Sequence, residues 1–373
     1  TQGNFTGAGV NAVTRSGTNK FEGSLYFFGR NEKTIGKSVI TGDKSSKFSD
    51  TQYGFRVGGP IIKDKLFFFF NAESGRRTSP LAFNAGEAGS TMTIEIAQQI
   101  ADYTLSKYGY DVGSYGPQDI QTQNNKFLGK IDWNINDKHQ FTLRYNYIDA
   151  FDDNLSRSAN FFRFGNNAYK FTNKQSSLVA ELRSNFNSSF SNNLILGYSS
   201  IKDSRDTAGS PFPQITILNI GGVSGASAEF GSQRSSFANE LDQTIFEVTD
   251  NFKWNIGKNT FTLGTHNEFF SFRNLFINNL NGRWDFNSVA DYLNNVPARV
   301  RATYSLIPGE SRPEAKFSAA QLGFYAQGES EVFKNFRLTY GIRLDVPIIG
   351  DKPLRNPKIE ASFPGYRTDN TPS

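Results

Sequence analysis

Residues 320–345, AQLGFYAQGESEVFKNFRLTYGIRLD, decide how the chain reads. Two alternating arms flank a polar turn at Phe333, Lys334 and Asn335. In the second arm Phe336, Leu338, Tyr340, Ile342 and Leu344 share one side, and Arg337, Thr339, Gly341, Arg343 and Asp345 share the other, because successive strand side chains point to opposite faces. One face suits lipid and the other suits water. Alternation alone also fits a soluble sandwich. The arm, however, stays alternating over the roughly 9 to 11 residues a tilted strand needs to cross a bilayer, against about 5 to 6 for an ordinary strand.

The composition points the same way. Among 373 residues there are 36 Phe and 15 Tyr, yet the mean hydropathy is −0.49. A membrane-spanning barrel reconciles the two, since only alternate residues face lipid while lumen, loops and turns stay polar. No apolar run of about 18 residues exists, which excludes a helical membrane protein. The absence of Cys removes disulfides, thiolate metal sites and Cys nucleophiles, a pattern tolerable in an oxidising envelope compartment. The net charge of +5 comes from 40 basic residues scattered among 35 acids, so no nucleic-acid footprint is read. The chain starts at Thr1 with no charged-then-apolar leader; it is expected to be a piece of a longer protein whose signal peptide lies outside it.

From Phe21 onward hairpins repeat. Arms are expected at 21–28, at 52–58 and 66–73 around a GGPIIKDK turn, at 126–135 and 141–147, at 178–186 and 194–201, and at 244–256 and 261–272. Short turns alternate strictly with long connections at 31–50, 75–122, 148–170, 203–240 and 277–316. Outer-membrane barrels have brief periplasmic turns and long external loops, so the alternation assigns each connection to a side. Two loops carry helical spacing: Ile94, Ala97, Ile100, Ala101, Leu105 and Tyr108 before Gly109, and the stretch from Phe286 to Pro297 with Ser288 as N-cap and Pro297 as stop. The expectation is an all-β fold, a transmembrane antiparallel β-barrel with short helices in its external loops. About eleven strands make half of a 22-stranded plugged barrel. A propeller or solenoid would repeat at a fixed period, which these loops do not.

Several phrases resemble a known family. The opening TQGNFTGAGVNAVTRSGTNK is similar to the segment that leads from the plug into the first barrel strand of TonB-dependent outer-membrane receptors. The run from Tyr53-Gly-Phe55 through Gly58-Gly59-Pro60-Ile61 to Lys63-Asp64-Lys65-Leu66-Phe67, closing with Glu73 and Arg76, resembles the Oar-like branch, as does the helical phrase ending at Pro297. The 320–345 hairpin is similar to one that recurs in these receptors, although Gly328 and Leu344 stand where Asp and Tyr are commoner. The resemblance implies that residues 1–19 end a plug domain and residues 20–373 form the N-terminal half of the barrel. It also implies a Gram-negative outer membrane, a lipid bilayer around the wall, and energy-coupled uptake of an extracellular ligand such as a siderophore, glycan or peptide. The TonB complex of the inner membrane would act through a segment absent here. The rivals are a passive porin or surface adhesion barrel, and a soluble β-rich binding protein.

No chemistry of another kind is read. Gly3 to Gly9 lacks the Lys-Ser/Thr of a phosphate loop, no Gly-x-Ser-x-Gly elbow appears, and no carboxylate pair is singled out by spacing. The expectation is therefore no catalytic residue, cofactor or metal. His139 and His266 lack metal-site spacing. His266 and Glu268 share the wet face, where they either meet a ligand or bond to a plug. Arg56, Arg144, Arg183 and Arg343 also fall on wet faces. There they would guide an anionic substrate, hold a plug by ion pairs, or simply avoid the roughly 2 to 4 kcal/mol that an Arg facing lipid at the midplane costs. The loop aromatics Phe161, Phe162 and Phe164 read equally as ligand contacts or as loop packing.

Overall fold

The computed structural model describes residues 13–40 and 42–370. In chain order the strands are β1 (Glu22–Asn31), β2 (Ser49–Ile62), β3 (Leu66–Pro80), β4 (Asp119–Asn134), β5 (His139–Asn154), β6 (Phe161–Arg163), β7 (Tyr169–Asn185), β8 (Phe190–Thr207), β9 (Gln214–Leu218), β10 (Ser227–Phe230), β11 (Asn239–Ile256), β12 (Asn259–Phe276), β13 (Arg283–Phe286), β14 (Arg299–Arg301), β15 (Ala315–Phe333) and β16 (Phe336–Ile349). The helices are α1 (Ile94–Tyr108), α2 (Val289–Leu293) and α3 (Pro357–Ser362).

Eleven strands form one antiparallel wall in the order β1-β2-β3-β4-β5-β7-β8-β11-β12-β15-β16. Each wall strand pairs with its neighbour along the chain, as expected when tight turns join long arms. β1 and β16 are its two edges, and the sheet is not closed on itself among the described residues. The wall strands run from 10 to 19 residues. No helix among the described residues is long and apolar enough to cross a membrane; the length belongs to the strands.

The two faces differ as the alternation predicts. One carries Leu25, Leu263, Ile342 and Leu344, which are 85%, 62%, 74% and 61% exposed. Little protein covers this apolar surface among the described residues, and its extent demands lipid or a partner over it. The wall itself has almost no buried hydrophobic core. That core lies elsewhere, in the long connections.

Residues 81–118, 155–168, 208–238 and 277–314 link wall strands, and they do not behave as separate polar loops. They contribute β6, β9, β10, β13 and β14 to one five-stranded sheet in the order β14-β13-β9-β10-β6, with α1 and α2 packed on one face. Every buried residue of the main hydrophobic cluster comes from these four connections, among them Met92, Ile100, Phe162, Phe164, Ile217, Phe230, Phe286 and Tyr292. Burying a large apolar side chain is worth about 1.5 to 3 kcal/mol, so this body has a core of its own.

Local readings hold with adjustments. α1 begins on Thr93, whose side chain accepts from the Ile96 N–H, and ends on Gly109 in the left-handed region. α2 starts on Ser288 as expected, but stops at Leu293 rather than reaching Pro297; Asn295 turns left-handed and breaks the turn first. The GGPIIKDK turn is shorter than read, because β2 runs through Gly58 and Pro60 to Ile62. Pro60 lies beside a bulge, where a missing donor is tolerated. The helix α3 was not anticipated. Val13 and Thr14, in the opening segment, carry no strand. The glycine-rich stretch before them lies outside the described residues.

Candidate functional site

Ladder by ladder, the register sets which side chains share the second face of the wall. Arg56 pairs with Asn71, Asn71 with Leu128 and Leu128 with Asn146. Continuing through Val179, Gly197, Glu247, Glu268 and Gln321 brings Arg56, Arg144, Arg183, His266, Glu268 and Arg343 to one face. The face is shared; the residues are not gathered into one site.

They fall instead into local groups. On β2, Arg56 Nε donates to Ser24 Oγ at 2.8 Å. It borders a cleft of about 980 Å3 lined also by Tyr26, Gln52, Glu73, Lys126 and Arg15. Glu73 is the hub there: Tyr26 Oη donates to Oε2 at 2.7 Å and Lys126 Nζ to Oε1 at 2.8 Å. Tyr26 lies across the backbone of Gly54, where a Cβ would meet its hydroxyl at 2.5 Å. Glu73 and Lys126 sit on strands more than fifty residues apart, and only register joins them.

Arg144 lies in the middle of the face, its Nε buried and without a hydrogen-bond partner among the described residues. Arg183, near the short-turn end, pairs with Glu181 at 2.7 Å and stays 62% exposed. Farther along, His266 Nδ1 meets Thr249 Oγ1 at 2.6 Å, with Glu247 and Glu268 carboxylates at 3.5 and 3.8 Å from its ring nitrogens. Arg343 pairs with Asp345 at 2.7 Å and lies 5.3 Å from the centroid of the Tyr325 ring. Toward the loop body the same face turns aromatic, with Phe270 stacked on Phe272 and Phe272 on Phe317. These rings were not singled out in the sequence, because an apolar residue on a wet face breaks the very alternation used to read it.

The chain entering β1 is fastened to this face. Lys130 Nζ donates to Ser16 Oγ at 2.7 Å, and the Asp64 N–H donates to Asn19 Oδ1 at 2.8 Å. Between these two points Gly17 packs against the carbonyls of Phe68 and Gly59 so closely that no Cβ fits.

The loop body is knit across all four connections. Arg157, 7% exposed, donates to Asn84 Oδ1 at 2.6 Å and to the carbonyls of Gly116, Ser114 and Arg163 at 2.9 Å. Burial pulls its guanidinium down to about 10, which still leaves it charged at neutral pH. Thr104 and Tyr292 hydroxyls meet at 2.7 Å, joining the first connection to the fourth. Asn167 Nδ2 donates to the Gly231 carbonyl at 3.0 Å, joining the second to the third. Phe162 and Phe164 are 1% and 0% exposed in this core, so of the two readings of these rings the packing one is correct. Phe161 lies on the opposite side of the sheet, under the Arg163 guanidinium.

An antiparallel wall with one uncovered apolar face, one polar face, tight turns at one end and large loops at the other defines an outer-membrane β-barrel. The chain belongs to that class: it matches the family described as outer membrane beta barrel domain over residues 13–88 and 89–349. A curated relative is the TonB-dependent transporter Oar of Myxococcus xanthus, 30% identical over 158 residues, or 39% of this chain and 14% of the relative. Among solved structures the chain resembles the outer membrane transporter YddB of Escherichia coli, with TM-score 0.53 and 13% identity over 88% of this chain and 39% of that one. It also resembles a mutant of the ferric enterobactin receptor PfeA of Pseudomonas aeruginosa, with TM-score 0.50 and 12% identity over 90% and 40%. Such low identities speak for the fold alone. The chain thus spans well under half the length of each of these proteins, and it lies in a Gram-negative outer membrane.

Proposed function

We propose that this chain is the first half of the barrel of a TonB-dependent receptor that takes up an external ligand through the outer membrane. The observation that carries the reading is the fastening of residues 16–19 to the polar face of the wall and to its β2–β3 turn. A segment held there can lead back into a plug in the lumen, so residues 1–19 are the plug's end and residues 20–373 the N-terminal half of the barrel with its loops. The partial identity to the Oar transporter supports the same reading. In it, ligand meets the loop body first and then the aromatic and charged inner face, where Arg56, Arg144, Arg183, His266, Glu268 and Arg343 line its route. The TonB complex would act on a plug segment upstream of this chain.

Conductance tests the proposal against a passive porin. A wide barrel without a plug is an open aqueous channel. The full-length protein in a planar bilayer is expected to conduct almost no ions, and deletion of everything before Lys20 is expected to give large, steady openings. Ligand-dependent growth should require TonB. Large openings from the intact protein would replace active uptake with passive diffusion.

A further inference from the structure

The loop sheet has two faces, and only one is explained by packing. Trp284, Phe286, Ile215, Ile217, Ala228, Phe230 and Phe162 alternate toward the helices. On the reverse side Asp285, Thr216, Glu229 and Arg163 follow one another across β13, β9, β10 and β6. At the β14 edge of that side three arginines meet one acid. Arg283 Nε lies 2.6 Å from Asp285 Oδ1, and Arg299 Nε and Arg301 Nη2 lie 3.1 and 3.0 Å from Oδ2. The Asp285 side chain is 7% exposed, while those of Arg283, Arg299 and Arg301 are 12%, 63% and 31% exposed.

Three guanidinium charges against one carboxylate leave an excess of two positive charges in one place. Among the described residues Asp285 is the only side chain that accepts from these three groups. Each guanidinium has five donors, so most of them find no side-chain acceptor among the described residues. Burial would raise the Asp285 carboxyl, but hydrogen bonds from Arg283 and Arg299 and the charge of Arg301 hold it below the usual carboxylate range. Asp285 is therefore held as the anion among the three guanidinium groups at neutral pH. Charged residues on an edge strand also deter sheet-to-sheet pairing. That accounts for Arg299 and Arg301 on β14 but not for Arg283, which is largely buried one strand further in.

We propose that Arg283, Arg299 and Arg301 form an anion-binding site on the loop body, which takes a carboxylate or phosphate group of an external ligand. A planar fork of N–H donors matches either oxyanion in bidentate fashion. Asp285 orients the arginines and keeps them from splaying, and the incoming oxyanion takes the place of a second acid that β13 and β14 do not supply. The inference gives the ligand of the receptor reading a charge, yet it does not need transport to be true.

Calorimetric titration of the purified full-length receptor in a non-ionic detergent tests it, with inorganic phosphate and succinate as separate probes. Saturable binding of at least one probe is expected, weakening with added salt. Stronger binding of phosphate marks a phosphorylated ligand and stronger binding of succinate a carboxylate one. Arg299→Gln combined with Arg301→Gln should weaken binding roughly tenfold or more. Arg299→Gln alone, at the most exposed of the three positions, should give a smaller loss and serves if the double variant disturbs the sheet. Arg312→Gln, which removes a basic loop residue paired with Glu240, should bind as the parent does. Protease resistance of the loops verifies folding in each case. Failure of both probes to bind the parent, or undiminished binding by the folded arginine variants, overturns the site. A receptor that binds the anions but fails to import anything would sink the uptake reading and leave this one standing.

Discussion

Glu73 holds together three wall strands through two side chains, Tyr26 on β1 and Lys126 on β4. Replacing it by Ala removes the carboxylate partner of the Lys126 ammonium and leaves the Tyr26 hydroxyl without its acceptor. A loss of about 1 to 3 kcal/mol is expected, read as a lower temperature for the heat-modifiable gel shift, with Glu73→Gln recovering part of it. Parity alone placed Arg56 and His266 on the wet face; Glu73 follows the unbroken apolar run 66–70, where parity is silent. What parity cannot supply is the partner. Lys126 lies opposite Glu73 only because the 81–118 connection returns β4 to β3 in one particular register, and no local pattern encodes that offset.

At the scale of elements, the wall strands were legible because each is long and two-faced, whereas the loop strands were not. QITIL at 214–218 is only five residues long, and Gln214 and Thr216 are buried as fully as Ile215 and Ile217, so its alternation marks no wet face. Its neighbours in the sheet, β10 and β13, belong partly to a connection some seventy residues away. Two experiments separate the elements. Leu338→Arg or Ile342→Arg, on the uncovered face of β16, is expected to block outer-membrane assembly, at a cost of about 2 to 4 kcal/mol near the midplane. Arg337→Leu or Thr339→Leu on the other face should assemble; equal tolerance of both faces would refute the orientation of the wall. Phe164→Ala in the loop core is expected to cost about 3 to 5 kcal/mol. That loss should appear as protease cutting in all four long connections while the gel shift of the barrel stays unchanged.

For the whole molecule, the short turns and the loop body must lie on opposite sides of the membrane. An epitope inserted at Val223, 40% exposed in a glycine-rich turn of the loop body, should be labelled on intact cells. Epitopes at Asp137 or Lys258 should be labelled only after the outer membrane is permeabilised. Surface labelling at the short turns would invert the topology. The sequence carried this division in the lengths of its connections, because a strand that crosses a bilayer leaves its linkers no choice of side.

The shared core of the four connections bears on how such a receptor can change over generations. Where surface loops are independent, a new specificity can arise by exchanging one of them. Here β9 sits between β10 of its own connection and β13 of the next, and Tyr292 meets Thr104 from the first. A transplanted connection would have to bring matching strands for three others, so variation should be confined to exposed tips and to side chains that leave the sheet intact. A phage or antibody that recognises this body would then be evaded by point substitutions at its surface, seldom by wholesale exchange of a loop.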